Sequence, residues 1–171
     1  SPFVSKEAML VSRGNVAAVS VKGVEPQHKV FNQAMLTLDG SSADSLLFDE
    51  TAERPGIIIG IDTATSIGVA VGDSVNVIPP LFNITPFGMI PKMKPFQVIG
   101  IFEKQSSLID SFYAYIPLSV AQNFFDLQGQ VSGIEVELDR FDSAPDVAAE
   151  LAQRFTFPYI CLLYTSPSPR D

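Results

Sequence analysis

The sequence predicts an α+β fold in which short strands outnumber helices. Most apolar stretches are short, with β-branched residues or strand-like alternation, and Gly, Pro or Asp residues separate them. One segment, residues 143–155, carries the clearest apolar stripe of a helix. With 171 residues, 46% of them apolar, the chain can bury the core of one domain or of two small subdomains.

The first half of the chain is predicted to combine strands with two short helices. Gly14-Asn15 is expected to form the turn of an opening hairpin. Gly68 is expected to end the second helix, because glycine readily adopts the left-handed conformation that closes helices. The predicted strands are 7–13, 15–23, 56–60 and 73–78, and the predicted helices lie near 43–47 and over 61–67.

The second half is predicted to carry further strands and two more helices. Ser119 and Ser143 are candidate N-caps of these helices, and Pro145 suits the first turn of the second one. Alternating apolar residues, among them Ile134 and Val136, indicate a strand between the two helices. The predicted strands are 96–102, 111–118, 131–139 and 157–160, and the predicted helices are 118–126 and 143–155.

Residues 79–95, PPLFNITPFGMIPKMKP, form the most distinctive segment. It holds five of the thirteen prolines, and Lys92 and Lys94 are the only charges between Ser74 and Phe102, although the net charge is −8. Because proline fixes φ and removes a backbone donor, the segment does not suit the interior of a regular sheet. Strand patterns on both sides predict a stiffened, protruding hairpin with apolar side chains, which favours contact with a partner.

Two questions about this segment stay open on the residues alone. Its apolar side chains either pack down onto the domain or are presented to a partner or lipid surface. Lys92 and Lys94, at i and i+2, would share one face of a strand. There they are either solvated edge residues that discourage strand pairing or contacts for an acidic partner surface.

Composition argues against several classes of function. A net charge of −8 is unsuited to nucleic acid, and the sequence has neither a long apolar run that would span a membrane nor a signal peptide. The single histidine, His28, and the single cysteine, Cys161, argue against a zinc site or a Ser-His-Asp triad, and His28 is predicted to be a solvated surface residue. We therefore predict no catalytic, cofactor-binding or metal-binding residue.

The last eleven residues differ from what precedes them. In residues 161–171, CLLYTSPSPRD, the apolar periodicity stops and a Ser/Pro/Arg tail begins. This composition indicates a non-native tail, with a disordered linker as the alternative. The predicted domain therefore comprises residues 1–160.

Four stretches carry a family resemblance. Residues 84–102 and 110–138, ITPFGMIPKMKPFQVIGIF and DSFYAYIPLSVAQNFFDLQGQVSGIEVEL, resemble the periplasmic domain of LolC/LolE-family permeases of lipoprotein-releasing ABC transporters. Residues 1–26 and 56–80 are similar to patterns that this family shares with the broader MacB/FtsX-like periplasmic domains.

The resemblance implies a fold and its parts. It implies an α+β, MacB-like periplasmic domain with a β-rich sabre-like part, a porter-like βαβ part and a protruding β-hairpin hook. The implied boundaries are 1–29 and 131–160 for the porter-like part, 30–117 for the sabre-like part and 79–95 for the hook.

The resemblance also implies a function, at the periplasmic face of the bacterial inner membrane. The hook would dock a LolA-like periplasmic carrier that receives lipoprotein substrates. A LolD-like ATPase and a partner permease would complete the transporter, so no enzymatic activity is expected in this domain. Met89 stands where some family members carry a basic residue. The implied partner-binding residues are Ile84, Thr85, Pro86, Phe87, Gly88, Met89, Ile90, Pro91, Lys92 and Lys94.

Three alternatives compete with this function. A MacB/FtsX-like domain would couple to an efflux partner or to a cell-wall hydrolase activator. A small β-rich enzyme domain would place converging polar side chains in a deep pocket, and a purely structural sheet domain would have no partner. The resemblance further implies that the membrane helices and the first porter strand and helix are absent from this sequence, which predicts marginal stability.

Overall fold

The computed structural model describes residues 1–26, 28–32, 35–37, 40–49, 51–80, 82–85, 88–102, 112–138, 140–155 and 159–162. The chain divides into two compact units, residues 1–135 and 136–171. The strands of the first unit are β1 (Pro2–Ser12), β2 (Asn15–Val24), β3 (Met35–Thr37), β4 (Gly56–Gly60), β5 (Ser74–Ile78), β6 (Phe82–Thr85), β7 (Gly88–Pro91), β8 (Lys94–Phe102), β9 (Tyr113–Pro117) and β10 (Gly133–Ile134). Its helices are α1 (Ala43–Leu47), α2 (Ile61–Ile67) and α3 (Leu118–Phe124), which confirms the predicted α+β class.

Six strands of the first unit pair in a closed ring. The order is β1–β2–β9–β4–β8–β5, and β5 returns to pair with β1. The pairs β2–β9 and β4–β8 are parallel, and the other four are antiparallel. All six strands contribute side chains to one buried cluster, which also includes residues of α2 and α3. This is the arrangement of a small barrel whose interior is filled with side chains.

A bulge in β8 allows this strand to contribute side chains to a second hydrophobic core. The register between β4 and β8 shifts between Ile57 and Ile58, where Val98 and then Gly100 are the partners. Val98 accordingly packs in the ring cluster, whereas the next residue, Ile99, packs in a smaller cluster with Ala43 and Leu47 of α1. The smaller core thus lies against the ring and is covered by the short first helix.

Several local predictions are confirmed. The predicted helices 43–47 and 61–67 are present with these bounds, and Gly68 ends the second with φ +69. The opening hairpin is present, but its turn is Arg13-Gly14, one residue earlier than predicted, with φ +49 and +89. Two successive positive φ values are typical of the type I′ turn that suits the twist of a two-residue hairpin.

Other local predictions are wrong. The predicted strand 131–139 is reduced to Gly133–Ile134, because only Pro2 and Phe3 pair with it. Ser119 does not cap α3, which begins at Leu118 with Pro117 at the N-cap. Ser143 occupies the N-cap of the last helix, but its hydroxyl donates to the carbonyl of Arg140 instead.

The second unit contains α4 (Ala144–Arg154), the helix predicted over 143–155. Pro145 lies in its first turn as predicted, and none of its residues is buried. Tyr159 and Ile160 are exposed and lie in no strand, while Phe157 and Pro158 of the predicted strand 157–160 lie outside the described residues. Of residues 161–171, the described ones are Cys161 and Leu162, both exposed.

The division into porter-like and sabre-like parts stays a prediction. Strands from residues 1–29 and from residues 30–117 contribute to the same ring, as the pairing of β2 with β9 illustrates.

Within the part of the chain that the structure describes, no helix combines the length and apolar character of a membrane span.

The prediction that His28 is a solvated surface residue is wrong. His28 is 6% exposed, its Nδ1 accepts the backbone N–H of Val30, and its Nε2 lies 3.0 Å from Oε2 of Glu135. Because Nδ1 accepts, Nε2 is the donor to the carboxylate. Lys22 Nζ lies 3.1 Å from both oxygens of the same carboxylate. Glu135 therefore joins β2 and the His28 loop to the segment after β10, across 107 residues that local patterns do not connect.

Replacing Glu135 with Ala should destabilise the chain by about 1–3 kcal/mol, because the carboxylate shared by Lys22 and His28 is lost. Urea unfolding at neutral pH measures this change. Glu137→Ala, at an exposed position two residues on, is the matched control. An equal effect of the two substitutions would contradict a stabilising role of the network.

Gly23→Ala should destabilise the chain by about 1–3 kcal/mol, because the core has no room for the new methyl group. A Cβ at Gly23 would overlap with Cβ of Ala121 in α3. Thermal unfolding of Gly23→Ala, Ala121→Gly and the double variant measures the clash. We expect the double variant to lose less stability than the sum of the two single variants, and full additivity would refute the clash.

Candidate functional site

The proline-rich segment forms a hairpin inserted into the connection between two ring strands. β5 and β8 pair antiparallel up to Val77 and Lys94, and the segment leaves and re-enters the ring beyond this pair. Within it, β6 and β7 pair antiparallel in a separate two-stranded sheet, from Phe82 opposite Pro91 to Thr85 opposite Gly88. The hairpin is therefore held at its base by strands that belong to the closed ring.

The hairpin's entry is fixed against β1. Ile78, the last residue of β5, pairs with Met9 of β1, and Pro79 is buried. Pro80 is exposed and lines two open hollows. One is lined by Ser5, Lys6, Glu7, Pro80, Phe125 and Leu127. The other is mainly apolar and is lined by Glu7, Ala8, Met9, Ala18, Val19, Ser20, Ile78, Pro80 and Phe112.

The prediction that Lys92 and Lys94 share one strand face is wrong. Lys94 is the first residue of β8, but Lys92 lies between β7 and β8 and belongs to neither strand. The rule that residues i and i+2 face the same way holds only inside a strand. Lys92 Nζ instead lies 2.8 Å from Oδ2 of Asp126, in the turn after α3.

Both lysines nevertheless contact the same aromatic pair, each lying over one of its two rings. Lys92 Nζ lies 5.7 Å from the ring centroid of Phe124, and Lys94 Nζ lies 5.9 Å from that of Phe96. The two rings pack edge to face with centroids 6.0 Å apart, and both are buried. The hairpin's exit is therefore attached to the ring's own core through cation–π contacts.

Asp126 was not found by sequence reasoning. It lies 34 residues from Lys92, and one acidic residue in a turn carries no signal of its partner. It adopts φ +56, the left-handed region, in a turn that Gln122 braces by donating its side-chain amide to the carbonyls of Gly129 and Gln130. The turn thus presents the carboxylate from a well-bonded backbone.

Of the ten predicted partner-binding residues, the structure places eight by their backbone. Six lie on the two hairpin strands, and Lys92 and Lys94 follow them, whereas Pro86 and Phe87 lie outside the described residues. The six are Ile84, Thr85, Gly88, Met89, Ile90 and Pro91. No set of three His, Cys, Asp or Glu side chains that could hold a metal ion occurs in the described ranges.

Comparison with known proteins gives the family. The profile of the MacB-like periplasmic core domain matches residues 1–154. The lipoprotein-releasing system transmembrane protein LolC of Neisseria meningitidis is 30% identical over 156 residues, which cover 88% of this chain and 36% of that protein. LolC of Xylella fastidiosa strain Temecula1 is 33% identical, covering 94% and 38%. LolE of Haemophilus influenzae is 30% identical, covering 81% and 32%.

The fold has a counterpart among solved structures. The extracellular domain of YknZ, a noncanonic ABC-type transporter of Gram-positive bacteria, superposes with a TM-score of 0.53 at 14% identity, covering 90% of this chain and 73% of that one. At this identity the likeness concerns the fold alone. The chain spans 36–38% of the length of the LolC proteins above. This chain belongs to the family of MacB-like periplasmic core domains and, within it, is a periplasmic domain of the LolC/LolE type.

Proposed function

We propose that this chain is the periplasmic part of a permease in a lipoprotein-releasing ABC transporter, and that hairpin 79–95 docks a LolA-like carrier. The domain would act at the periplasmic face of the inner membrane, where lipoprotein substrates pass to the carrier. A LolD-like ATPase and a partner permease would supply the energy and the path. The names of the related LolC and LolE proteins support the transporter, and the sequence of the hairpin supports the docking role.

The observation that carries the docking role is the hairpin's insertion between two paired strands of a closed ring. Val77 and Lys94 hold its base together, and Ile78 is paired with Met9 on the opposite side of β5. A partner that binds such a hairpin orders little new backbone, so less conformational entropy opposes binding. Prolines at both ends of the segment restrict its backbone further.

The hairpin offers backbone and side-chain contacts to a partner. In the described part of the chain, β6 and β7 pair only with each other, so their outer edges are available for strand addition. The segment supplies apolar residues, two cations and no acidic residue, in a chain whose net charge is −8. Docking of this kind requires no catalysis by the domain, and we propose that ATP hydrolysis takes place in the separate ATPase.

Replacing residues 79–92 with Asn-Gly should leave a folded chain, because Ile78 and Met93 can continue the β5–β8 ladder into a two-residue turn. We expect circular dichroism to retain the β signal of the ring and thermal unfolding to stay cooperative. Loss of the cooperative transition would mean that the hairpin contributes to the ring's core, which the docking proposal does not require.

The same hairpin-less chain should fail to bind a purified LolA-type carrier, whereas the unaltered chain binds it. In calorimetric titrations, we expect Phe87→Ala/Met89→Ala and Lys94→Glu each to weaken binding about tenfold or more, as expected of residues at the centre of an interface. Leu36→Ala removes an exposed apolar side chain of β3 and is the matched control.

Two results would contradict the proposal. Unchanged binding by the hairpin-less chain would place the docking surface elsewhere on the domain. Absence of binding by the folded, unaltered chain would favour a LolE-type role without carrier recruitment, or a MacB/FtsX-like domain that couples to another partner.

A further inference from the structure

We propose that the end of α3 sets the orientation of the hairpin, and that Lys92 is a positioning residue which acts through Asp126 instead of contacting the carrier. We call the residues Phe124, Phe125, Asp126 and Leu127 the α3 bracket. The inference rests on the proposed docking function, because it describes how the docking surface is held.

Accessibility at the hairpin's exit favours a positioning role. Lys92 directly follows the last residue of β7, and its side chain is 22% exposed, whereas that of Asp126 is 71% exposed. Lys92 is covered because its ammonium lies against both the Asp126 carboxylate and the Phe124 ring. A partner that approaches this point therefore meets the carboxylate more readily than the ammonium.

The bracket is itself firmly held. Phe124 and Phe125 are 3% and 6% exposed and pack in the ring cluster. The N–H of Leu127 donates to the carbonyl of Gln122 at 2.9 Å, which fixes the backbone around Asp126. When the flexible side chain of Lys92 bonds to this fixed carboxylate, it loses conformational freedom. The end of α3 therefore restrains the backbone at the hairpin's exit.

The bracket lies beside both ends of the hairpin. Pro80, at the entry, lines the same hollow as Phe125 and Leu127. Lys92, at the exit, contacts Phe124 and Asp126. The bracket contacts Lys92 at the exit, and the pairing of Ile78 with Met9 holds the entry, so the two-stranded stem is restrained at both ends. Loss of the Lys92 contact should therefore weaken carrier binding by about three- to tenfold, through lost pre-organisation.

A charge-exchange experiment separates positioning from direct contact. Binding of a purified LolA-type carrier is measured for Lys92→Gln, Asp126→Asn, the double variant and the exchanged pair Lys92→Asp/Asp126→Lys. The bracket predicts that both single variants weaken binding, that the double variant is no weaker than Lys92→Gln, and that the exchanged pair recovers part of the loss. Full recovery is not expected, because the exchange also removes the contact of Lys92 with the Phe124 ring. The control combines Lys94→Gln with Asp126→Asn. The effects of these two substitutions on carrier binding should add, because the structure shows no direct contact between Lys94 and Asp126.

Two binding results would overturn the inference. If the Asp126→Asn variant binds the carrier as tightly as the unaltered chain while Lys92→Gln binds weakly, Lys92 does not act through Asp126 and is better explained as a direct contact of the carrier. If the exchanged pair binds the carrier no more tightly than the single variants, the ion pair does not explain their weaker binding.

Hydrogen exchange in the absence of carrier provides a test that does not depend on the docking function. The bracket predicts that backbone amides of 82–85 and 88–90 exchange about three- to tenfold faster in Lys92→Gln and Asp126→Asn, while ring amides such as those of β4 are unchanged. Unchanged exchange in the hairpin would overturn the bracket. If the unaltered chain binds no carrier, faster exchange still supports the bracket, and the docking function alone falls.

Discussion

The structure depends on the double pairing of β5, the short strand that closes the ring. Its two inward residues, Val75 and Val77, are buried, and its two edges pair with β1 and with β8. If either ladder opened, buried side chains would meet water and backbone groups would lose their partners. The hairpin leaves the ring at the end of this strand, so its base can move only at the cost of the core.

The charge distribution explains why the hairpin's exit is joined to α3. No Asp or Glu occurs from Ser74 to Phe102, so Lys92 and Lys94 have no local anion to pair with. Lys92 finds its carboxylate in the turn after α3, and Lys94 lies over the Phe96 ring. The acid-free stretch therefore leaves Lys92 to a long-range ion pair and Lys94 to the ring of its near neighbour. Both lysines contact the aromatic pair Phe96 and Phe124, which ties the hairpin's exit to the core of the ring.

Features fixed by neighbouring residues could be predicted from the sequence, and features fixed by distant partners could not. Gly68 ends α2, and the strand GIIIG is buried, because backbone freedom and continuous apolar character act locally. The strand at 131–139 fails because pairing partners exist for two residues only. His28 and Lys92 were misjudged for the same reason, since Glu135 and Asp126 lie 107 and 34 residues away. The hairpin 79–95 was predicted from its prolines, its lack of acidic residues and the strand patterns on either side, whereas its ten partner-binding residues came from the family resemblance.

The fold by itself does not select a partner, because one fold can carry many different functions. Selection must come from a local feature, and in the proposed function that feature is the hairpin. The body of the chain carries 19 acidic residues and the hairpin none. If the carrier is acidic, its repulsion by the body is screened beyond about 8–10 Å at physiological salt, whereas the proposed docking hairpin has an apolar sequence and the cation Lys94. An acidic carrier would therefore be disfavoured on most of the surface and accepted at one place, which selects orientation as well as partner.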